Sequence, residues 1–320
     1  MSRLRLAGFL LVLGVAVASW VVTCGTWRVA RVAEGVVPLD PRRFAAPTAV
    51  TVGTGGAYEN PARRGPATAV GLGPELVLVD AGRAVCEGLR HAGIPVAQPA
   101  AVLLTSLLAE NAVGLDDLLL TGWLEGRSAP LRLYGPPGTA EFARALEAAY
   151  RPGARARGEA LGLAQAGAGI EAFEIGDGWS ARFGELEVRA AALGGGPLPG
   201  LAYRFEGAGR SLVVGGGGWA PEALVALARG AHLLVHEAAS LPPPELAADL
   251  GVGAERLRAE AALHTRLEDV GDLAQRAGVE ALVLVRLRPP PAFDLQVTQV
   301  VRASFGGRVV VAEDGDELRW

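Results

Sequence analysis

Apolar and polar positions divide most of the chain into short strands and amphipathic helices. Apolar runs bounded by glycine or polar residues predict strands at residues 48–53, 76–80 and 100–104. Apolar residues spaced three and four apart predict helices at residues 85–92 and 140–150. Strands that alternate with helices in this way are typical of a mixed α/β fold.

The second half of the chain repeats this alternation. Residues 151–169 are rich in glycine, alanine and arginine and have weak periodicity, so we interpret them as a mobile surface insertion. Further strands are predicted at 67–70, 131–134, 171–175, 179–183, 186–192, 202–205, 211–214, 232–236 and 281–285, and further helices at 221–228 and 267–277.

The first 26 residues have the pattern of a membrane segment. Residues 6–26 carry no charged side chain and follow Arg3 and Arg5, which predicts a signal-anchor. Residues 16–18 match a small-x-small cleavage site, so a removed signal peptide is the alternative. Either interpretation makes the membrane a partner. It also places the globular part outside the cytoplasm, either anchored in the inner membrane with a periplasmic domain or exported after cleavage.

The expected domain organisation follows from this segment. Residues 27–47 contain charges and prolines and predict a linker, so that residues 48–320 form the folded domain. With 50% hydrophobic residues, the 320-residue chain can bury a sizeable core. The net charge of -4 gives no indication of a nucleic-acid-binding surface, and no nucleic-acid partner is expected. The two cysteines, Cys24 and Cys86, are not expected to form a disulfide.

Several segments, in the same order along the chain, resemble metallo-β-lactamase-fold hydrolases of the ribonuclease Z / arylsulfatase-like branch. The resemblance implies a four-layer αββα sandwich, within the α/β (α+β) class, with its site at one edge of the two sheets. It also implies a dimer or a pairing with an active relative as a possible assembly. The matching segments are residues 52–56, 60–66, 76–82, 133–139, 202–205 and 234–238.

The resemblance also locates the positions that hold two zinc or similar divalent ions in this family. The usual His-x-His-x-Asp-His motif falls on the turn after the strand at 100–104, and three further ligands come from later turns. Leucine, glycine and arginine are not zinc ligands, and serine and asparagine are poor ones. We therefore expect no metal cofactor. The matching positions are Ser106, Leu108, Glu110, Asn111, Gly194, Gly217 and Arg286.

Two residues of the family's active site are retained. Glu237 lies in His236-Glu237-Ala238, and His264 precedes the helix predicted at 267–277. The resemblance implies that this carboxylate and imidazole act as a proton-donating pair. The alternative is that the pair persists only because it packs a loop.

These observations favour an exported, catalytically inactive protein, a pseudoenzyme that serves as a binding or scaffold module. The alternative is a hydrolase of phosphodiester or ester substrates with atypical metal ligands or none. A third hypothesis is a structural subunit of an active relative. For the site itself, we predict that the Arg286 guanidinium takes the place of one metal ion and bonds the Glu110 carboxylate, with Asn111 as a further contact.

Overall fold

The computed structural model describes residues 3–57, 60, 62–194, 196, 198–217, 221–240, 253–261, 263–288 and 293–319. The chain divides into two compact units, residues 1–39 and residues 40–320. The first unit contains a single long helix, α1 (Arg3–Val36). The second contains two β-sheets and the remaining helices.

Helix α1 joins the uncharged run of residues 6–26 to the charged residues Arg28, Arg31 and Glu34 without a break. Within the described residues, no helix has both the length and the apolar character needed to cross a bilayer. This finding contradicts the predicted signal-anchor, and with it the membrane partner and the periplasmic location. The division of the chain at residues 26 and 47 stays a prediction.

Among the described residues each of the two sheets has seven strands, and those of the first sheet follow the order β14-β1-β2-β3-β4-β5-β6. Its centre is parallel, since β3 pairs with β4, β4 with β5 and β5 with β6 in that sense. The strands are β1 (Phe44–Gly53), β2 (Ala67–Gly73), β3 (Glu75–Val79), β4 (Ala101–Leu103), β5 (Leu131–Gly135), β6 (Ile170–Glu174) and β14 (Glu317–Arg319).

The second sheet also has seven strands, in the order β13-β12-β11-β10-β9-β8-β7. Strands β10 to β13 are parallel to one another, and β7 to β10 are antiparallel. The strands are β7 (Ser180–Phe183), β8 (Leu186–Leu193), β9 (Gly200–Gly207), β10 (Arg210–Val214), β11 (Leu233–Ala239), β12 (Ala281–Arg288) and β13 (Arg308–Val311).

Helices connect the strands of both sheets. The predicted insertion at 151–169 is instead ordered: α5 continues to Leu161, and a 3₁₀ turn follows at Gln165–Ala168. Its periodicity is weak because most of its side chains are exposed, so no apolar stripe is required. The helices are α2 (Val85–His91), α3 (Ala109–Ala112), α4 (Leu115–Leu124), α5 (Thr139–Leu161), α6 (Pro221–Ala228), α7 (Ala254–Ala261), α8 (Leu267–Ala277) and α9 (Asp294–Arg302).

Three buried apolar clusters hold these layers together. The central cluster contains Val77 and Val79 of the first sheet together with Tyr203 of the second, so the two sheets pack face to face. Leu78, between those two valines, belongs to a cluster shared with α2 and α4, and a third cluster joins the second sheet to α6, α8 and α9. Because successive side chains of a strand face opposite sides, strands covered on both sides are apolar throughout. The predicted mixed α/β fold with two sheets is confirmed.

The carboxyl ends of the parallel strands of both sheets lie at the same edge of the sandwich, where hydrogen bonds also join the two sheets. The Tyr203 hydroxyl of β9 donates to the Leu104 carbonyl at 2.6 Å, and the Leu201 amide donates to the Thr105 carbonyl at 2.8 Å. These bonds tie the turn after β4 to the second sheet. Side chains that follow β3, β4, β10, β11 and β12 are thereby gathered at one edge, the position that binds ligands in open α/β sheets.

Candidate functional site

A cavity of about 210 Å³ opens at this edge, and all nine of the predicted site positions line it. The structure therefore brings these nine positions together, and their role as a functional site stays a prediction. The lining includes side chains from the turn after β4, the ends of β8, β11 and β12, and the loop before α8. The nine residues are Ser106, Leu108, Glu110, Asn111, Gly194, Gly217, Glu237, His264 and Arg286.

Arg286 crosses from the second sheet to the first. Its Nη1 donates to Asn111 Oδ1 at 3.1 Å, and its Nη2 forms an ion pair with Asp80. Its backbone amide donates to the Thr54 carbonyl at 2.7 Å. The Asn111 contact was predicted, but the Glu110 contact was not found: Glu110 pairs instead with Arg288, whose Nη2 lies 3.3 Å from Glu110 Oε1.

Backbone geometry explains this exchange of partners. Arg286 has φ of 51°, in the left-handed region that non-glycine residues rarely adopt. The register of β11 and β12 also shifts between Glu237 and Ala239, as in a β-bulge. The resulting bend aims Arg286 across the cavity floor towards Asp80 and leaves Arg288, two residues later, beside Glu110.

Asp80 is completely buried at the end of β3 and is the anchor of this network. Its Oδ1 accepts hydrogen bonds from the Thr105 amide at 2.8 Å and the Thr105 hydroxyl at 3.0 Å. Burial raises the pKa of Asp80 above its ordinary value, although the Arg286 charge and the Thr105 hydrogen bonds act in the opposite direction. Asn111 Nδ2 extends the network by donating to the Thr105 hydroxyl at 3.1 Å and the Ser106 hydroxyl at 2.8 Å.

On the opposite wall, His264 Nδ1 lies 2.8 Å from Glu237 Oε1, and both side chains are almost fully buried. Burial by itself would raise the pKa of Glu237, but the hydrogen bond to His264 and the charges of His264 and Arg286 lower it to about 2. Glu237 is therefore ionised at neutral pH, and its Oε1 accepts a hydrogen bond from a protonated Nδ1 of His264. This contact leaves Nε2 of His264 to exchange a proton with a ligand.

A second contact holds the His264 loop against β11. His236 Nε2 lies 2.7 Å from the Thr265 hydroxyl, and the Ala239 amide donates to the Thr265 carbonyl at 2.8 Å. Burial lowers the pKa of His236 to about 4, so its ring is neutral at physiological pH. A Cβ on Gly215 would lie 2.2 Å from His236 Nδ1, which explains why glycine follows β10. His236 is a positioning residue for the loop that carries His264.

The lowered pKa of His236 predicts a pH-dependent stability. Between its unfolded value near 6.5 and its folded value near 4, the unfolded chain binds a proton that the folded chain does not. The free energy of unfolding should therefore fall as the pH falls, by about 2 kcal/mol between pH 7 and pH 5. Urea unfolding at both pH values measures it.

The matched variant for this measurement is His236→Gln, whose amide nitrogen can still reach Thr265. It should lose this part of the pH dependence, whatever its stability at pH 7. An equal fall in the parent and in His236→Gln would contradict the assignment.

The remaining lining is largely apolar. Leu108 and Leu193 form the inner wall, and Leu198 and Leu263 lie at the mouth with 42% and 41% of their surfaces exposed. A Cβ on Gly217 would come within 3.1 Å of Glu237 Oε1, so glycine leaves room beside that carboxylate. A polar floor under apolar walls is typical of a small-molecule or substrate-binding cavity.

The site does not fit two metal ions. Within the residues that the structure describes, no three His, Cys, Asp or Glu side chains are grouped so that they could hold a metal ion. The polar floor already contains a guanidinium cation bound to Asp80 and Asn111.

Sequence reasoning missed three residues of the site: Asp80, Thr105 and Arg288. Asp80 lies in a matching segment, and a lone carboxylate directly after an apolar strand is a signal that could have marked it. Thr105 was hidden because a hydroxyl next to a strand is common in turns. The choice between Arg286 and Arg288 as the partner of Glu110 had no signal in the sequence.

Comparisons with known proteins extend these observations. Over 244 residues the chain is 35% identical to a protein named Ribonuclease Z from Mycobacterium sp. (strain KMS), covering 75% of this chain and 84% of the relative. Over 271 residues it is 31% identical to a protein of the same name from Mycobacterium bovis (strain BCG / Pasteur 1173P2), covering 82% and 94%. No family model matches the chain. These relatives confirm the resemblance predicted from the motifs.

Solved structures agree on the fold. The metallo-β-lactamase fold protein YhfI from Bacillus subtilis superposes with a TM-score of 0.67 at 17% identity, covering 85% of this chain and 99% of that one. Human tRNase Z, short form, gives 0.60 at 20% identity, covering 85% and 98%. Zn(2+)-bound PqqB from Methylobacterium extorquens gives 0.57 at 15% identity, covering 85% and 100%.

Three further predictions are wrong in the light of these matches. The inactive binding or scaffold module is contradicted, because the relatives that the chain matches over most of its length are named as ribonucleases. The same names contradict the expectation that nucleic acid is no partner. The expectation of no cofactor is contradicted at the level of the fold, because a zinc-bound protein is among the structural neighbours, whereas the residues described for this chain are not grouped to hold an ion.

Proposed function

Because the chain belongs to the ribonuclease Z family of metallo-β-lactamase-fold proteins, we propose that it is a hydrolase of phosphodiester or ester bonds. RNA is the phosphodiester substrate that the names of its relatives suggest. The observation that carries the proposal is the buried contact of Glu237 and His264, 2.8 Å apart and open to the cavity. A carboxylate and an imidazole kept in contact at a cavity wall, where burial of polar groups is costly, support a role in proton transfer.

In this proposal His264 is the general acid. Water adds to the phosphorus or acyl carbon, the bond to the leaving oxygen breaks, and His264 Nε2 donates a proton to that oxygen. Glu237 holds the ring through Nδ1 and stabilises its positive charge before the transfer. The proton released by the added water restores His264. In relatives that bind metal, the ion supplies a nucleophilic hydroxide; the residues described here do not fit that ion, and no residue is assigned to this part.

The apolar walls favour substrates with a flat or hydrophobic group beside the reacting bond. Leu108, Leu193 and Leu263 face the same cavity as His264. A nucleobase and an aryl group both offer such a surface, which supports both the phosphodiester and the ester alternative. The assay below therefore includes both chemical classes.

The purified full chain should cleave a short RNA with a 3′ extension, or bis(4-nitrophenyl) phosphate, or 4-nitrophenyl acetate. The His264→Ala variant, expressed and purified in parallel, measures the background from contaminating hydrolases and the spontaneous reaction. We expect the parent rate to exceed that background by about 10²-fold or more on at least one substrate, as for loss of a general acid. Equal rates of parent and variant on all three substrates would refute the proposed function.

A further inference from the structure

Two strained residues meet in one buried ion pair at the cavity floor. Of the four described non-glycine residues with positive φ, two are Asp80 at 62° and Arg286 at 51°. Strained backbone of this kind persists only where the surrounding structure enforces it, and it concentrates at functional sites. The strain here serves a single purpose, which is to bring one guanidinium from the second sheet onto a carboxylate of the first.

The guanidinium retains hydrogen-bonding capacity after these contacts. An arginine carries five N–H groups in a planar arrangement. One from Nη1 is bonded to Asn111 and one from Nη2 to Asp80. Asp80 is wholly buried, whereas the Arg286 side chain keeps 8% exposure and lines the cavity. Asp80 therefore holds the guanidinium on its buried side, and the accessible edge of the guanidinium faces the cavity.

Arg286 also acts on the same space as the acid-base pair. The positive charge of Arg286 lowers the pKa of both Glu237 and His236, which favours the ionised carboxylate and the neutral imidazole. Arg286 and His264 line one cavity of about 210 Å³, so one ligand can touch both. A planar guanidinium held in a fixed orientation is suited to two oxygens of a phosphate or carboxylate.

We propose that Arg286 binds the anionic group of the substrate, the non-bridging oxygens of a phosphate, and presents the adjacent ester oxygen to His264. This inference rests on the proposed function and deepens it by assigning the anion-binding residue. Asp80 is a positioning residue, because it fixes the guanidinium and does not line the cavity, whereas Asn111 fixes the guanidinium from within the cavity lining. A phosphodiester is thereby the preferred substrate class, since a neutral ester lacks the charge that Arg286 would bind.

The test is isothermal titration calorimetry with inorganic phosphate as the probe. Arg286→Lys keeps the charge but loses the planar pair of donors, so its phosphate affinity should fall roughly ten- to hundredfold, as for a lost hydrogen bond to a charged group. Since an unpaired Asp80 could unfold a neutral variant, the second variant is the double change Asp80→Asn and Arg286→Gln, which removes both charges. Circular dichroism checks that each variant is folded.

The matched control is Arg276→Gln, which removes an exposed arginine that pairs with Glu222. Its phosphate affinity should equal that of the parent. Phosphate binding that is equal in the parent and both Arg286 variants, or that is missing from the parent, would overturn the assignment even if the parent hydrolyses RNA. Arg286-dependent binding without any hydrolysis would support the assignment while the proposed function fails.

Discussion

Replacing Glu237 by glutamine is expected to lower kcat about 10²- to 10⁴-fold, the usual range for loss of general acid-base catalysis. Glutamine keeps the size of the side chain but removes the negative charge that stabilises protonated His264, 2.8 Å away. It also allows the amide to donate to Nδ1, which favours the wrong tautomer. The measurement is kcat and KM on the substrate that the parent cleaves, over a range of pH.

The control for this variant is His91→Gln, which removes an exposed histidine outside the cavity and should keep the parent kcat. Glu237→Asp keeps the charge and should recover part of the activity. If Glu237→Gln is folded and turns over at the parent rate with the parent pH profile, the pair has only a packing role. A change confined to stability would point to the same conclusion.

Breaking the ion pair of Asp80 and Arg286 should cost about 3–5 kcal/mol of unfolding free energy from either side, because each single variant leaves an uncompensated buried charge. Arg286→Met removes the guanidinium, and Asp80→Asn removes the carboxylate charge while retaining an oxygen for Thr105. The double variant should lose clearly less than the sum of the two single losses. Urea unfolding of the four proteins in a double-mutant cycle measures this coupling.

The exposed pair of Arg276 and Glu222 provides the comparison. Its Arg276→Gln variant should change the urea midpoint little, since solvent screens an exposed pair. Additive losses at Asp80 and Arg286, or an Arg286→Met protein as stable as the parent, would show that the guanidinium is not held by the carboxylate. Because both side chains are buried, either of these results would rule out the ion pair as a stabilising contact.

Much of the fold could be predicted from local pattern. The alternation of Val77, Leu78 and Val79 between two apolar clusters is what makes β3 an uninterrupted apolar run, and the same reasoning located most other strands. Residues 151–161 were predicted to be part of a mobile insertion but continue helix α5, because an exposed helical extension needs no apolar stripe. The predicted membrane segment was wrong, because no helix within the described part of the chain is both long and apolar enough to cross a bilayer.

The candidate site was predictable in position but not in chemistry. All nine positions taken from the family motifs line the same cavity. Eight of them lie near the carboxyl end of a strand or in the turn after it, and His264 lies in the loop before α8. Their roles did not follow from residue identity. A leucine or glycine at a ligand position indicates that a metal contact is lost. It gives no information on the function of the other residues in the cavity.

By itself the sequence determined the two apolar faces of each sheet, the order of the strand-end turns and nine of the residues that line the cavity. Only the tertiary structure decided which charges pair. Asp80 and Arg286 are 206 residues apart, and Glu110 had two arginines within two positions of each other as candidates. The choice depends on the left-handed backbone at Arg286 and the register shift between β11 and β12. The packing of the two sheets against each other sets this backbone geometry and this register. It also decides the pairing, because a buried charge is stable only where a partner lies within reach.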